Sequence, residues 1–307
     1  MKTPSHSPGM PPETWTILKL LKWTTGYFKS HQIEHPRAAS EILLAHALGM
    51  ARVDLYIQYD RPLEPQELEV FKGFIQRRLK REPVAYIVGE KGFWSLDLRV
   101  TPDVLIPRPE TETLVEAVLL TVPEEPSPRP LRILDLGTGS GAVVIALAIE
   151  RTGHLFYALD CSHKALAVAQ DNARRHGVKG DITFLRSNWF EALQEVRQSR
   201  FDLIVSNPPY VSNQDFETLP LEISQHEPPQ ALDGGAHGLD AIELIIEKAP
   251  AHMTPGGWLL LEIGHDQAAS IEGLMAASGA YKDFSVIKDY SGLDRVVRAR
   301  RKGEEVF

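Results

Sequence analysis

A short motif, NPPY at 207–210, has the residue types needed to hold a planar amino group. An NH2 group on an amide or a base is a poor nucleophile, because its lone pair is delocalised. The side-chain oxygen of Asn207 and the carbonyl of Pro208 can each accept one N–H of such a group. Pro208 and Pro209 fix φ and lack N–H donors, and Tyr210 offers a flat ring for stacking. The motif predicts a site that presents the nitrogen to an electrophile; the alternative is a proline turn that only ends a strand.

A glycine-rich loop, LDLGTGSGA at 134–142, lies upstream of this motif. Glycines spaced in this way permit a tight turn and let a ligand approach the backbone closely. Dinucleotide enzymes instead use G-x-G-x-x-G, which places a pyrophosphate at a helix N-terminus. The alternative is that these glycines form only a tight turn. The residues that we predict to contact a cofactor are Gly137, Thr138, Gly139, Ser140 and Gly141.

Two carboxylates near this loop indicate the kind of ligand. Asp135 precedes the first glycine by two residues, where a negative charge disfavours a diphosphate and favours a cationic ligand. Asp160 ends the next apolar run and can accept hydrogen bonds from both hydroxyls of a ribose. Its alternative role is a charge at the N-terminus of the following helix. A cationic nucleoside without phosphate points to S-adenosylmethionine as the cofactor, and thus to methyl transfer by direct displacement.

The elements that must position these residues follow from hydrophobic periodicity. From residue 131 onward, short apolar runs alternate with helical segments, which predicts a parallel, doubly wound α/β sheet. Ligands of such sheets bind at the carboxyl ends of the strands, where the glycine loop and NPPY fall. The predicted strands are 131–136, 154–159, 182–186, 202–206 and 257–263, with helices at 141–151, 163–176 and 239–249. Two final strands, 283–288 and 294–299, are too close in sequence for a crossover, so we expect an antiparallel hairpin.

The amino-terminal part has a different pattern. Residues 14–85 read as a helical domain, in which Leu68, Phe71, Ile75 and Leu79 fall on one helix face. Alternation around 93–100 predicts a β-hairpin. We therefore expect four segments along the chain: a flexible tail at 1–13, the helical domain at 14–85, a β-hairpin connector at 86–109 and the catalytic sheet at 110–307.

Composition limits the classes of function. The 307 residues include 33 Lys and Arg against 41 Asp and Glu, a net charge of −8, which argues against a protein that grips nucleic acid through phosphates. The single cysteine, Cys161, excludes an internal disulfide framework and fits a reducing compartment. No apolar run reaches the length of a membrane span, and no His spacing compels a metal site. We expect a cytoplasmic monomer that binds neither membranes nor metal.

Several stretches resemble the peptide chain release factor glutamine methyltransferases of the HemK/PrmC type. The resemblance covers about 15 to 300 in unbroken order, and the pairing of LIPRPETE with NPPY is highly specific. The matching stretches are PRAASEILLAHALGMAR (36–52), REPVAYIVGEKGFW (81–94), LIPRPETETLVE (105–116), DLGTGSGA (135–142), SNPPYV (206–211) and EPPQALDGGAHGLD (227–240).

The resemblance implies a Rossmann-like, seven-stranded class I methyltransferase sheet, mostly parallel with an antiparallel terminal hairpin, behind a small helical domain. It implies methyl transfer from S-adenosylmethionine to the side-chain amide nitrogen, N5, of the glutamine in the GGQ loop of class I release factors, which act in translation termination. The glycine loop and Asp160 would hold the cofactor, NPPY the glutamine, and the helical domain the rest of the release factor.

The resemblance also assigns roles to residues outside these motifs. Trp189 would flank the adenine, preceded by Asn188 where the family usually has an acidic residue. Phe93 resembles an aromatic that reaches the cofactor cleft. Simple packing is the alternative for both aromatic residues. Arg108 and Glu110 would order a lid between the domains, or serve only structure. Glu262, at the end of the fifth strand, reads as structural.

Other functions stay open at this point. A glutamine methyltransferase acting on a ribosomal protein would have the same build. A DNA adenine methyltransferase shares NPPY but would need a basic target-recognition region. A non-catalytic cofactor-binding module and a nicotinamide dehydrogenase fit less well, since the glycine loop, Asp160 and NPPY are all intact.

Overall fold

A computed structural model describes residues 14–122, 129–195 and 200–303 of the chain. The chain divides into two compact units, Met1–Val88 and Gly89–Phe307. The sequence-predicted tail at 1–13 lies outside the described residues. Among the described residues, no helix is both long enough and apolar enough to cross a membrane.

The amino-terminal unit is helical in its described part, as expected. Helix α4 begins at Pro65, and its first turn is closed by a capping box between Glu64 and Glu67. Phe71 and Ile75 are buried in the core of the unit, which confirms the predicted apolar face. The helices of this unit are α1 (Ile17–Ser30), α2 (Pro36–Leu48), α3 (Asp54–Ile57), α4 (Pro65–Leu79) and α5 (Val84–Val88).

The second unit is built on a seven-stranded sheet, which confirms the α/β prediction. The order across the sheet is β5-β4-β3-β6-β7-β9-β8. The first five of these strands run parallel to their neighbours, β9 runs antiparallel to β7, and β8 pairs antiparallel with β9. The strands are β3 (Arg132–Leu136), β4 (Leu155–Asp160), β5 (Ile182–Arg186), β6 (Phe201–Ser206), β7 (Met253–Glu262), β8 (Tyr281–Lys288) and β9 (Asp294–Arg301).

One strand boundary differs clearly from the prediction. The sequence analysis places the start of β7 at 257, directly after Pro255 and Gly256, which are residue types that usually interrupt strands. The strand in fact begins at Met253, which pairs with Phe201, and the register then shifts before Leu203 pairs with Trp258. An irregularity of this kind accommodates proline and glycine in a strand.

Helices cover both faces of the sheet. The three predicted helices are present, and the 3-10 helices are Pro109–Thr111, Glu191–Glu195 and Pro229–Ala231. The sequence did not predict the helices Glu112–Thr121 and Ala268–Ser278 or the one-turn helices Asn213–Phe216 and Leu221–Ser224. The helices of the unit are α6 (Glu112–Thr121), α7 (Ala142–Glu150), α8 (His163–Arg175), α9 (Asn213–Phe216), α10 (Leu221–Ser224), α11 (Asp240–His252) and α12 (Ala268–Ser278).

The predicted hairpin is present as β1 (Glu90–Phe93) and β2 (Leu96–Arg99), paired antiparallel. Its alternate residues Phe93, Leu96 and Leu98 are buried in the core that lies on one side of the sheet. Burial of this apolar face holds the hairpin on the catalytic unit.

Candidate active site

A cavity of about 470 Å³ opens at the carboxyl ends of β3, β4 and β6. This is the place where open α/β sheets bind ligands. Segments that are far apart in sequence meet here, namely the glycine loop, the end of β4, the start of the NPPY loop and the 228–233 segment. The sequence-predicted residues that line the cavity are Gly137, Gly139, Asp160, Asn188, Trp189, Asn207 and Pro209.

The glycine loop turns sharply over the end of the neighbouring strand. The backbone N–H groups of Gly137 and Thr138 both donate to the carbonyl of Leu159, at 2.8 and 2.9 Å. Gly137 and Gly139 have φ of +72° and +54°, which favour glycine. The N–H of Gly139 donates to Oδ2 of Asp160 at 2.9 Å, so the loop and the carboxylate are fixed to each other.

The end of the loop is packed tightly as helix α7 begins. Gly141 has φ of +83°, and a Cβ there would lie 2.8 Å from Cδ1 of Ile145 and 3.2 Å from Cβ of Ala169. The carbonyl of Ser140 accepts a hydrogen bond from Nδ2 of Asn172 at 2.9 Å. Ser140 and Gly141 therefore fix the shape of the loop through contacts with Asn172, Ile145 and Ala169. Neither residue lines the main cavity.

Asp160 is held by backbone N–H groups from two segments. Its Oδ1 accepts from the N–H of Ser162, the N-cap residue of α8, at 2.9 Å, and its Oδ2 accepts from Gly139. Burial raises the pKa of its carboxyl. Each carboxylate oxygen has lone pairs beyond the one that its backbone partner uses, so the group can also accept the two hydroxyls of a ribose.

Asp135 lies beneath the loop at a small adjoining cavity of about 50 Å³, which Thr138 and Ser140 also line. The hydroxyl of Thr138 donates to its Oδ2 at 2.7 Å. Complete burial raises the pKa of Asp135 to about 7, and the nearby Asp160 adds to this effect. A cationic ligand close to this carboxylate would favour its ionised form.

Asn188 and Trp189 follow β5 at the far side of the cavity. Trp189 adopts φ of +50°, and a Cβ on Gly137 would lie 4.0 Å from its ring, so the indole faces the glycine loop. Nδ2 of Asn188 donates to Oε1 of Glu191 at 2.9 Å. Its Oδ1 is therefore the atom left to accept a hydrogen bond from an amino group, such as that of adenine.

Phe93 requires a correction of placement. The resemblance predicts that it reaches the cofactor cleft, but its side chain is buried in the core below the hairpin. It is not among the residues that line the two cavities described above. The hairpin directs Phe93 to the core because Leu96 and Leu98 share its face. The alternative of simple hairpin packing fits this position.

The side chain of Asn207 is held by one specific contact. Its Nδ2 donates to Oγ1 of Thr111 at 3.1 Å, and Thr111 is buried. Asn207 and Pro209 line the main cavity, whereas Pro208 is buried and does not line it. With its NH2 group engaged, Asn207 has its Oδ1 left to accept a hydrogen bond from a ligand.

The end of the NPPY loop is anchored on the sheet. The hydroxyl of Tyr210 donates to Oε1 of Glu262, the last residue of β7, at 3.2 Å. Tyr210 does not itself line the main cavity. Val211 donates to the carbonyl of Leu232 at 3.0 Å and accepts from Gly234 at 2.9 Å, which pairs the loop with the 232–234 segment.

Gln267 also holds the NPPY loop, through the backbone of Tyr210. Nε2 of Gln267 donates to the carbonyls of Tyr210 and Gly238, both at 3.1 Å. Its Oε1 accepts from the N–H of Gly264 at 2.8 Å. Gly238 packs so closely that a Cβ would lie 2.3 Å from the carbonyl oxygen of Tyr210. The sequence analysis did not identify Gln267 or Gly238, and only the GGAHG pattern of 234–238 hinted at close backbone approach.

The LIPRPETE segment, at 105–112, is tied to a distant loop. Nη2 of Arg108 donates to Oε1 of the buried Glu227 at 2.5 Å, and the N–H of Ile106 donates to Oε2 at 3.2 Å. This pairing orders the segment that carries Thr111. Glu110 is exposed. Within the described ranges, no group of three or more His, Cys, Asp or Glu residues is placed to hold a metal ion.

Comparison with known proteins places this architecture in a family. Residues 19–89 match a domain model described as PrmC N-terminal domain, and residues 129–287 match one described as methyltransferase domain. A crystallised methyltransferase from Pyrococcus furiosus has the same fold, with a TM-score of 0.50 at 21% identity over 74% of this chain and 97% of that chain.

Curated relatives are similar along nearly their whole length. A protein named release factor glutamine methyltransferase from Geobacter sulfurreducens is 44% identical over 289 residues, covering 94% of this chain and 98% of that protein. A protein of the same name from Coxiella burnetii is 45% identical over 266 residues, covering 87% and 92%. Since these matches span both units of the molecule, the chain belongs to the release factor glutamine methyltransferase family.

Proposed function

We propose that this protein transfers a methyl group from S-adenosylmethionine to the side-chain amide nitrogen of the glutamine in the GGQ motif of class I release factors. One observation carries the chemistry. Asn207 is held by Thr111 with its acceptor oxygen left for a ligand, at the cavity that Asp160 also lines. The relatives from Geobacter sulfurreducens and Coxiella burnetii bear names that fit this substrate.

The residues present fit S-adenosylmethionine. Asp160 has acceptor capacity for the ribose, the oxygen of Asn188 can accept from the adenine amino group, and Trp189 offers a flat wall. When bound, the cofactor supplies an electrophilic methyl group on a sulfonium leaving group. The space next to Gly139 is open, since a Cβ there would meet nothing within 4 Å. A ligand can therefore lie directly against the backbone of the glycine loop.

The contribution of the chain to the reaction is positioning. Oδ1 of Asn207 and the carbonyl of Pro208 accept the two N–H groups of the substrate amide, which directs its nitrogen towards the methyl donor. The nitrogen loses its proton readily once it is alkylated, so no strong base is needed beforehand. The backbone of this loop is stiffened by Pro208 and Pro209, which keeps the two acceptor oxygens in fixed directions.

We also propose that the helical unit binds the release factor outside its GGQ loop. A one-residue target gives little surface for recognition, so a separate contact is required for selectivity. The match of residues 19–89 to the PrmC N-terminal domain supports this role. The net charge of −8 fits a protein substrate better than a nucleic acid.

Incubation with labelled S-adenosylmethionine tests the assignment. We expect a class I release factor to become labelled, because its GGQ glutamine offers the amide that Asn207 can orient. The matched control is the same factor with that glutamine replaced by alanine, which should stay unlabelled. Equal labelling of the altered factor would contradict the assignment, and labelling of a ribosomal protein instead would favour the other glutamine substrate.

Cofactor affinity should depend on pH. Burial raises the pKa of Asp135 to about 7, so near neutrality this carboxyl is partly protonated in the free protein. A cationic ligand favours the ionised form, so binding must release a proton at low pH. We expect the Kd for S-adenosylmethionine, measured by calorimetry, to rise about tenfold from pH 8 to pH 6.

Two substitutions separate the titration of Asp135 from a general loss of structure at low pH. In Asp135→Asn the dependence should disappear, since the titrating group is gone. The exposed carboxylate of Asp266 offers the control, and Asp266→Asn should keep the tenfold change. A pH dependence that survives in Asp135→Asn would exclude Asp135 as its source.

A further inference from the structure

We propose that Asn172 is a positioning residue for the cofactor site, because its side chain ties the glycine loop to the β1–β2 hairpin. The inference rests on the proposed function, since the glycine loop is where S-adenosylmethionine would bind. The sequence analysis placed residue 172 only within a predicted helix, 163–176, and gave it no role.

Asn172 lies on α8 and is fully buried, and both N–H groups of its side chain are used. Its Nδ2 donates to the carbonyl of Arg99 at 3.0 Å and to the carbonyl of Ser140 at 2.9 Å. Its Oδ1 accepts from the N–H of Arg99 at 2.8 Å. A carboxylate of the same shape has no N–H to donate, so an amide is the group that satisfies all of these partners at once.

The hairpin end of this link is the backbone of Arg99. Arg99 stands opposite Glu90, while the next N–H, that of Val100, donates to the carbonyl of Gly89 at 3.0 Å. Because hydrogen-bonded positions alternate along an antiparallel pair, the N–H and C=O of Arg99 point away from β1. The side-chain amide of Asn172 pairs with both groups, as a neighbouring strand would. It therefore fixes the outer edge of the hairpin to α8.

The loop end of the link is the carbonyl of Ser140, a buried residue between Gly139 and Gly141. A hydrogen bond to this carbonyl fixes the plane of the peptide that joins Ser140 to Gly141. Gly139, on the other side of Ser140, lines the main cavity and donates to Oδ2 of Asp160. Asn172 therefore acts on the cofactor site through the loop, because it limits how far Gly139 can move from Asp160.

Other contacts join the hairpin to α8 without touching the glycine loop. Nη1 of Arg99 donates to Oδ2 of Asp171 at 3.1 Å, and Nη2 of Arg175 donates to Oε1 of Glu90 at 2.6 Å. Both are ion pairs between partly exposed side chains, which contribute little to stability. Since Asn172 bonds to loop and hairpin alike, a ligand that holds the loop should also hold the hairpin through it.

The variant Asn172→Leu tests the proposal, because leucine fills a similar space and can neither donate nor accept. We expect the Kd for S-adenosylmethionine, measured by calorimetry, to rise about 30-fold, since the loop loses a buried hydrogen bond. Asp171→Asn, which weakens the neighbouring ion pair on the same helix, is the matched control and should keep its Kd within about twofold. An unchanged Kd in a folded Asn172→Leu would overturn the inference.

Steady-state kinetics separate positioning of the cofactor loop from general damage. In Asn172→Leu the KM for S-adenosylmethionine should rise about as much as the Kd, whereas kcat for release-factor methylation at saturating cofactor should stay within about threefold of the wild type. The proposed amide acceptors belong to the NPPY loop, which is held by Thr111 and Gln267 instead. A loss confined to kcat would contradict a role at the cofactor loop.

Hydrogen exchange in the wild-type protein tests the link without any substitution, so its result stands even where Asn172→Leu does not fold. Saturation with S-adenosylmethionine should slow exchange of the Arg99 amide about tenfold, because that N–H is bound to Asn172. The amide of Val100, which bonds to Gly89 within the hairpin, is the internal control and should change by less than about twofold. Equal rates at Arg99 with and without cofactor, or equal slowing at both amides, would overturn the inference. A wild-type protein that does not bind S-adenosylmethionine at all would instead overturn the proposed function.

Discussion

Replacing Asn207 by alanine should lower kcat for release-factor methylation by about 10³-fold and leave the Kd for S-adenosylmethionine within about twofold. In the proposed site, the side chain would contribute one of the two acceptors that orient the substrate nitrogen, and alanine cannot supply it. The proposed ribose acceptor, Asp160, is held by the backbone of Gly139 and Ser162, so its position should not depend on Asn207. Single-turnover kinetics together with calorimetry measure the two effects separately.

The control for this variant is Asn213→Ala. Asn213 is exposed at the start of α9, close in sequence to the NPPY loop. It should retain wild-type kcat and cofactor affinity. If Asn207→Ala abolished cofactor binding as well, Asn207 would belong to the cofactor site and the proposed orientation of the substrate amide would be wrong.

Gly238→Ala should strongly reduce activity, although Gly238 does not line either of the two cavities described above. A Cβ there would lie 2.3 Å from the carbonyl oxygen of Tyr210 and 2.7 Å from Nε2 of Gln267, at a φ of +71°. The end of the NPPY loop must move to relieve this contact. We expect a loss of about 2–4 kcal/mol in the free energy of unfolding, and a fall in kcat/KM of at least about 100-fold from displaced acceptors.

Gly279→Ala separates backbone strain from the contact. Gly279 ends α12 with φ of +65°, and a Cβ there would meet nothing within 4 Å. The free energy of unfolding of Gly279→Ala should fall by only about 1 kcal/mol, the cost of the left-handed conformation, and the variant should keep its activity. Urea unfolding and steady-state kinetics at a temperature where both variants are folded test this difference. Equal losses in both variants would mean that crowding at Tyr210 is unimportant.

The sheet could be predicted because its strands are short apolar runs bounded by loops. The parallel arrangement followed from helices between the strands, and the terminal antiparallel pair from the short spacing before β9. Helices α6 and α12 could not be predicted in this way. The buried residues of α6 include Leu114, Val115 and Val118, so apolar residues extend around much of the helix. Its sequence therefore lacks the clear apolar and polar faces that indicate a helix. Helix α12 is rich in alanine and has little contrast between its faces.

The candidate site could be predicted where it depends on local sequence. The glycine loop, Asp160 and Asn207 are each recognisable from a few adjacent residues and from their place after a strand. Thr111, Gln267 and Glu262 could not be assigned roles, because their contacts join positions 52 to 96 residues apart. Phe93 illustrates the same limit, since alternation gives the two faces of a hairpin but not which face meets the cleft.

The two-sided anchoring of the NPPY loop has a consequence for binding entropy. Glu262 binds the hydroxyl of Tyr210, Gln267 binds its backbone carbonyl, and two prolines stiffen the segment between Asn207 and Tyr210. The conformational freedom of this loop is therefore lost when the protein folds, before any partner arrives. In the encounter with a release factor, the entropy lost at the reaction centre falls mainly on the substrate loop. The position of the proposed amide acceptors is thus set when the enzyme folds and does not wait for the substrate.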